Sequence, residues 1–141
     1  MTGFGTQIPI AAAADTVWSL LTDAAGYPDW NSTVARIEGR IAPGAKLTLH
    51  AKASSGRAFP LRVSVFEAPA RMVWTGGMPL GLLTGTRTFT LTPTPDGGVL
   101  FSMDETFTGL MAWLITRSMG KMLPAFNAFA ADLKRAAEAT G

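Results

Sequence analysis

Thr86-Arg87-Thr88-Phe89-Thr90-Leu91-Thr92, then Pro93-Thr94-Pro95-Asp96-Gly97-Gly98, then Val99-Leu100-Phe101-Ser102-Met103-Asp104-Glu105-Thr106-Phe107: two alternating segments flank a cluster of turn formers. Side chains of a strand point to opposite faces in turn. Arg87, Phe89 and Leu91 therefore share one face of the first segment and Thr86, Thr88, Thr90 and Thr92 the other. In the second, Val99, Phe101, Met103, Glu105 and Phe107 share a face opposite Leu100, Ser102, Asp104 and Thr106. The Pro93–Gly98 connection is short enough to predict a hairpin. Pairing Pro93 with Val99 sets Leu91 opposite Phe101, Phe89 opposite Met103 and Arg87 opposite Glu105. An inward arginine meets an inward carboxylate on an otherwise apolar face.

Burying either charge alone is expensive, whereas together they can satisfy each other through bidentate hydrogen bonds. Two readings follow. Arg87 and Glu105 form the polar end of an apolar cavity and orient a ligand's carbonyl, hydroxyl or carboxylate, or they are an ion pair that only fixes strand register.

Working outward, Ala42-Pro43-Gly44, Ser54-Ser55-Gly56, Ala68-Pro69-Ala70 and Gly76 to Gly81 punctuate Ser32 to Phe107 into about six strands. Connections this short join antiparallel neighbours. From Ala45 to Lys52, Leu47 and Leu49 alternate with Lys46, Thr48, His50 and Lys52, giving one buried and one wet face. His50, beside two lysines, reads as solvated rather than catalytic. Met72 and Trp74 alternate on one strand, with Met78 expected in the loop that follows.

Before these strands, Gly3 to Ile10 reads as a strand. A helix starting near Asp15 presents Val17, Trp18, Leu20 and Leu21, and a second helical turn holds Tyr27 to Trp30. After Gly109 the period becomes helical. Met111, Ile115, Met119, Met122, Phe126, Phe129 and Leu133 recur at steps of three and four, one stripe of a long helix. Gly109, Gly120 and Pro124 fall at its start and inside it, so residues 109–120 are either a movable lid or a static kink. That helix is the one element long enough to cover a curved sheet.

The 141 residues are 48% hydrophobic and 16% charged, with a mean hydropathy of +0.23, which predicts a single domain spanning 1–141. The absence of cysteine excludes a disulfide scaffold, a thiolate zinc site and a cysteine nucleophile, and the lone histidine excludes a multi-histidine metal site, so we expect neither metal nor cofactor. The net charge is +2 and the basic residues are scattered, which argues against nucleic acid. No basic residue precedes Arg36, so the early alanine run lacks a signal-peptide n-region, and Leu110 to Ile115 is far too short to span a membrane. The expectation is a soluble, cytoplasmic protein, monomer or homodimer. Ser54, Ser55 and Ser102 have no defensible His/Asp partners, and Gly76-Gly77 and Gly97-Gly98 lack the strand, loop and helix context of a phosphate cradle.

Val17-Trp18-Ser19-Leu20-Leu21-Thr22-Asp23, Tyr27-Pro28-Asp29-Trp30-Asn31, Met72-Val73-Trp74 before a Gly-rich loop, and Glu105-Thr106-Phe107-Thr108-Gly109 before the final helix resemble, over essentially the whole chain, the START-related (SRPBCC) superfamily of lipid-transfer domains, plant pathogenesis-related allergens and aromatic polyketide cyclases. The resemblance implies an α+β helix-grip fold: an antiparallel sheet of about seven strands around a long C-terminal helix, two short helices closing one end, and an apolar pocket between. It implies lipids, sterols, polyketides or other small hydrophobic molecules as ligands. The favoured reading is a non-catalytic carrier. Trp74, Phe89, Phe101, Met103 and Phe107 line its pocket from the sheet, Met78 from a loop, and Trp113 and Phe126 from the helix, with Arg87 and Glu105 as polar anchor. The alternative is a cyclase or dehydratase-like enzyme in which Glu105 is general acid or base and Arg87 stabilises an enolate. A third reading, a helper domain in a protein complex, gains weight if Leu110, Trp113 and Leu114 form an exposed apolar patch.

Overall fold

A computed structural model describes residues 2–52, 58–78, 80–113 and 119–140. The hairpin at Pro93–Gly98 joins β6 (Leu83–Pro93) to β7 (Val99–Thr108) in the register read from the sequence: Pro93 faces Val99, Leu91 faces Phe101, Phe89 faces Met103 and Arg87 faces Glu105. On β6 a β-branched threonine recurs at every outward position from Thr84 to Thr92, a residue that suits a pleated, half-wet surface. β1 (Thr2–Ile10) pairs with the far side of β7. On the other side of β6 follow β5 (Arg71–Met78), β4 (Ala58–Glu67), β3 (Lys46–Ala51) and β2 (Val34–Gly39). The seven strands form one antiparallel sheet in the order β1-β7-β6-β5-β4-β3-β2.

Between β1 and β2 lie α1 (Ala14–Thr22), a 3-10 turn (Ala24–Gly26) in which the Asp23 carboxylate accepts from the Gly26 amide, and α2 (Tyr27–Trp30). The long helix α3 is described over Met119–Thr140, with Pro124 inside it. Phe126, Phe129 and Leu133 of the expected stripe are buried, and they meet Phe4, Trp30, Phe89 and Phe101 of the sheet and α2. Polar contacts fix the helix along β1. Thr6 donates to Asn127 at 2.7 Å, Lys134 to the Pro9 carbonyl at 3.1 Å, and the Ala11 amide to Glu138 at 2.9 Å.

Two local expectations change, and a third is met only at its start. Gly76 and Gly77 belong to β5, not to a turn: they pair with Gly85 and Thr84, and Met78 pairs with Leu83. A Cβ on Gly76 would lie 2.5 Å from Leu61 Cδ2 and 2.7 Å from the Pro60 carbonyl, so glycine is needed there for close strand packing. His50 is not freely solvated, because its Nε2 lies 2.9 Å from Glu38 on the neighbouring strand and its side chain is 14% exposed. The segment read as a movable lid or a static kink begins as a tethered turn. Leu110 donates to the Gly81 carbonyl at 3.3 Å and Met111 to the Leu82 carbonyl at 2.8 Å. Gly109, at φ +109°, lies so close that a Cβ would come within 2.7 Å of both carbonyls. The rest of that segment, residues 114–118, lies outside the described residues, as do Ser54 and Ser55.

Candidate functional site

The inner face of the sheet is ordered in transverse rows by the register. One row runs Trp74, Arg87, Glu105, Phe4 across β5, β6, β7 and β1. Arg87 Nε donates to Glu105 Oε1 at 3.0 Å, with the two side chains 19% and 10% exposed. This is a single hydrogen bond, not the bidentate fork expected. The guanidinium is shared with α3 instead, its Cζ lying 4.7 Å from the centroid of the Phe126 ring, an arrangement that attracts a cation to the ring face. Phe126 in turn packs on Phe4 at 4.5 Å. Among the described residues, neither the Arg87 terminal nitrogens nor Glu105 Oε2 has a hydrogen-bond partner.

The adjoining row, toward the ends of β5 and β7, runs Leu61, Gly76, Gly85, Phe107, Thr2. Two glycines side by side remove the side-chain layer. Leu61 leans over Gly76 and the Phe107 ring over Gly85, where a Cβ would be 3.3 Å from the ring and 3.6 Å from Glu105 Oε2. Gly85, Leu61 and Leu83 are half-buried, so the polar pair stands at the open end of the grip.

On the other side of the pair the interior is filled. Trp74, Phe89, Phe101 and Phe129 meet ring against ring at 4.7–6.4 Å, and Met103 is buried with them. Of the other residues expected to line a pocket, Phe107 and Phe126 are buried beside the pair, and Met78 ends β5 opposite Leu83. Trp113 is 59% exposed and stands outside the interior. A shallow depression of about 540 Å³ lies across β2 to β5, walled among others by Glu38, Lys46, Leu47, Leu61, Arg62 and Gly76, and neither Arg87 nor Glu105 lines it.

Sequence reading missed several buried polar groups. The Trp30 and Trp74 indole nitrogens and Asn31 Nδ2 are buried donors without a partner among the described residues. Asn31 Oδ1 accepts from the Thr33 amide and hydroxyl. Tyr27 is no proton donor in waiting: its hydroxyl is spent on the Leu21 carbonyl at 2.6 Å, and burial pushes it well above its ordinary value, with Arg87 pulling weakly the other way. Buried Asp132 on α3 accepts from the Ser32 amide and hydroxyl and from Arg135. A carboxylate next to Leu133 of the apolar stripe was the available signal.

Residues 1–138 match the sequence profile of the family described as polyketide cyclase / dehydrase and lipid transport. The chain belongs to that family. Solved structures agree on its fold. The hypothetical protein jhp0584 from Helicobacter pylori superposes with a TM-score of 0.81 at 15% identity, over 96% of this chain and 88% of that one. A START superfamily protein from Mycobacterium smegmatis gives 0.73 at 17% identity over 99% of both chains. The di-domain ARO/CYC BexL from the BE-7585A biosynthetic pathway gives 0.73 at 19% identity, over 97% of this chain and 50% of that one. A comparison with curated proteins gives no match. This member of the polyketide cyclase / dehydrase and lipid transport family therefore has the START-like helix-grip fold, seven strands closing on α3 with two short helices.

Proposed function

We propose that the protein binds and carries a small hydrophobic ligand bearing a carbonyl or hydroxyl, its polar end held by Arg87 and Glu105 and its apolar body lying against Phe107 and Phe126 at the open end of the grip. The observation that carries this reading is the unspent capacity of the pair. Arg87 can still donate and Glu105 Oε2 can still accept, one row from the half-buried Gly85. The buried indole donors favour an oxygen-bearing guest, and because Glu105 already meets the Arg87 charge, a neutral group fits better than a free carboxylate.

Native mass spectrometry of the protein as purified, followed by denaturing extraction, is the test. The expected result is a stoichiometric apolar companion with a carbonyl or hydroxyl. Gly85→Ala should fold, since its Cβ meets the Phe107 ring at 3.3 Å and no backbone, yet shed the companion by narrowing the approach to Glu105. A folded Gly85→Ala protein that keeps its companion, or an intact protein that is empty and takes up no apolar fluorophore, overturns the reading.

A cyclase or dehydratase-like activity is the second reading, favoured by the same unpartnered Glu105 Oε2 next to a guanidinium: the carboxylate would move the proton and Arg87 would stabilise an enolate. It requires that the extracted companion change chemically on incubation and that Glu105→Gln stop the change.

A further inference from the structure

The Arg87–Glu105 pair offers more than an isolated carbonyl or hydroxyl would use. Arg87 Nε is engaged by Glu105 Oε1, which leaves the terminal nitrogens, donors only, and Glu105 Oε2, an acceptor only, without partners among the described residues. Both side chains are partly exposed, so these atoms stand at the rim and not in the sealed interior. They belong to two groups tied by one 3.0 Å hydrogen bond, so a free donor and a free acceptor are held as neighbours. A guest that meets both carries an acceptor and a donor on neighbouring atoms.

The surrounding rings define what bears that group. Phe107 and Phe126 are buried beside the pair, and Phe4 faces Glu105 across the sheet. Phe4 lies 4.5 Å from Phe126 and 6.4 Å from Phe107, centroid to centroid, and is only 23° from parallel with Phe107. The flat guanidinium of Arg87 lies 4.7 Å from the Phe126 centroid. Three phenyl rings and a flat cation around one polar pair suit a planar aromatic body.

Charge and internal hydrogen bonding narrow the polar group itself. A carboxylate brings no donor and sets its charge against Glu105. A hydroxyl next to a ketone bonds to its own carbonyl, so its donor is already engaged. The cis edge of an amide differs: N–H and C=O leave it side by side, uncharged, and cannot bond to each other. We propose that the ligand is a planar aromatic lactam or primary amide. Its C=O accepts from an Arg87 terminal N–H while its N–H donates to Glu105 Oε2. The proposal rests on the carrier reading and names the class of ligand for it.

Three probes test it: carbostyril, a bicyclic aromatic lactam that presents the whole edge, N-methylcarbostyril, which keeps the carbonyl and loses the donor, and naphthalene, which has neither. Each is titrated calorimetrically into the full chain, freed of any companion by denaturing extraction and refolded. Carbostyril is expected to bind about tenfold more tightly than its N-methyl form, because the methylated probe leaves Glu105 Oε2 without its donor. In Glu105→Gln the amide oxygen stays on Arg87 Nε, which puts an NH2 where Oε2 was, and the preference for carbostyril should vanish. Equal affinity for the two lactams, or no binding of carbostyril, overturns the proposal. So does a preference that persists in Glu105→Gln, which assigns it to the bulk of the methyl group. The comparison of probes on the unaltered chain decides the matter even where the variant does not fold. Three probes bound alike would leave carriage standing and remove only the amide edge. Carriage itself fails on a different result, a protein that is empty as purified and takes up no apolar fluorophore.

Discussion

Arg87→Met alone should cost about 3 kcal/mol of stability, and adding Glu105→Leu should recover most of it. The single change leaves a carboxylate that is 10% exposed with no partner on an apolar face. It also strips the cation from the Phe126 ring. The double change leaves Met and Leu in a row already bounded by Trp74 and Phe4, and replacing a buried pair with apolar residues of similar size is often neutral or better. Urea denaturation at neutral pH measures both. The ligand readout should run the other way. The refolded double variant is expected to lose its companion, because nothing remains to hold its carbonyl or hydroxyl. A folded double variant that still carries its companion would show that the pair only sets register. Equal destabilisation by single and double variants would show that the two charges are not coupled.

The pair was legible before any coordinates because a period of two carries its own geometry. Once Pro93 and Val99 are set opposite each other, every facing pair down to Arg87 and Glu105 follows. The alternation of Leu47 and Leu49 with Lys46 and Thr48 was legible for the same reason. Glycine was harder. Gly76-Gly77 carries the composition of a turn, yet strand pairing with Gly85 and Thr84 overrides it, since the residue facing Gly76 across β4 is Leu61 and needs its space. The paired glycines depend on Gly76 and Gly85 being register partners, which neither segment reveals by itself. Trp113 shows the limit of helical spacing. Spacing names a face but not whether anything covers it, and the turn tied to Gly81 and Leu82 swings that side chain outward.

Least legible were contacts between residues a hundred positions apart, and the strongest of these makes the last prediction. Asp132→Ala should lower stability at neutral pH by about 3 kcal/mol, or roughly 10 °C in Tm. The buried carboxylate accepts from the Ser32 amide at 2.8 Å, the Ser32 hydroxyl at 2.7 Å and Arg135 at 2.7 Å. It is the clasp between α3 and the chain entering β2, and alanine leaves the Ser32 donors without their acceptor. Burial pulls the carboxyl up, but the Ser32 hydroxyl and amide and Arg135 outweigh it and hold it below its ordinary 3.8. A carboxyl lowered on folding adds stability that is fully present above its unfolded value and is lost as pH falls through the folded value. The gap between intact protein and Asp132→Ala should therefore be widest at neutral pH and shrink below 3.8. Carboxylates common to both proteins largely cancel in that difference, so the curve reports on Asp132. A gap that stays constant down to acid pH would mean that the ionised carboxylate is not what closes the clasp.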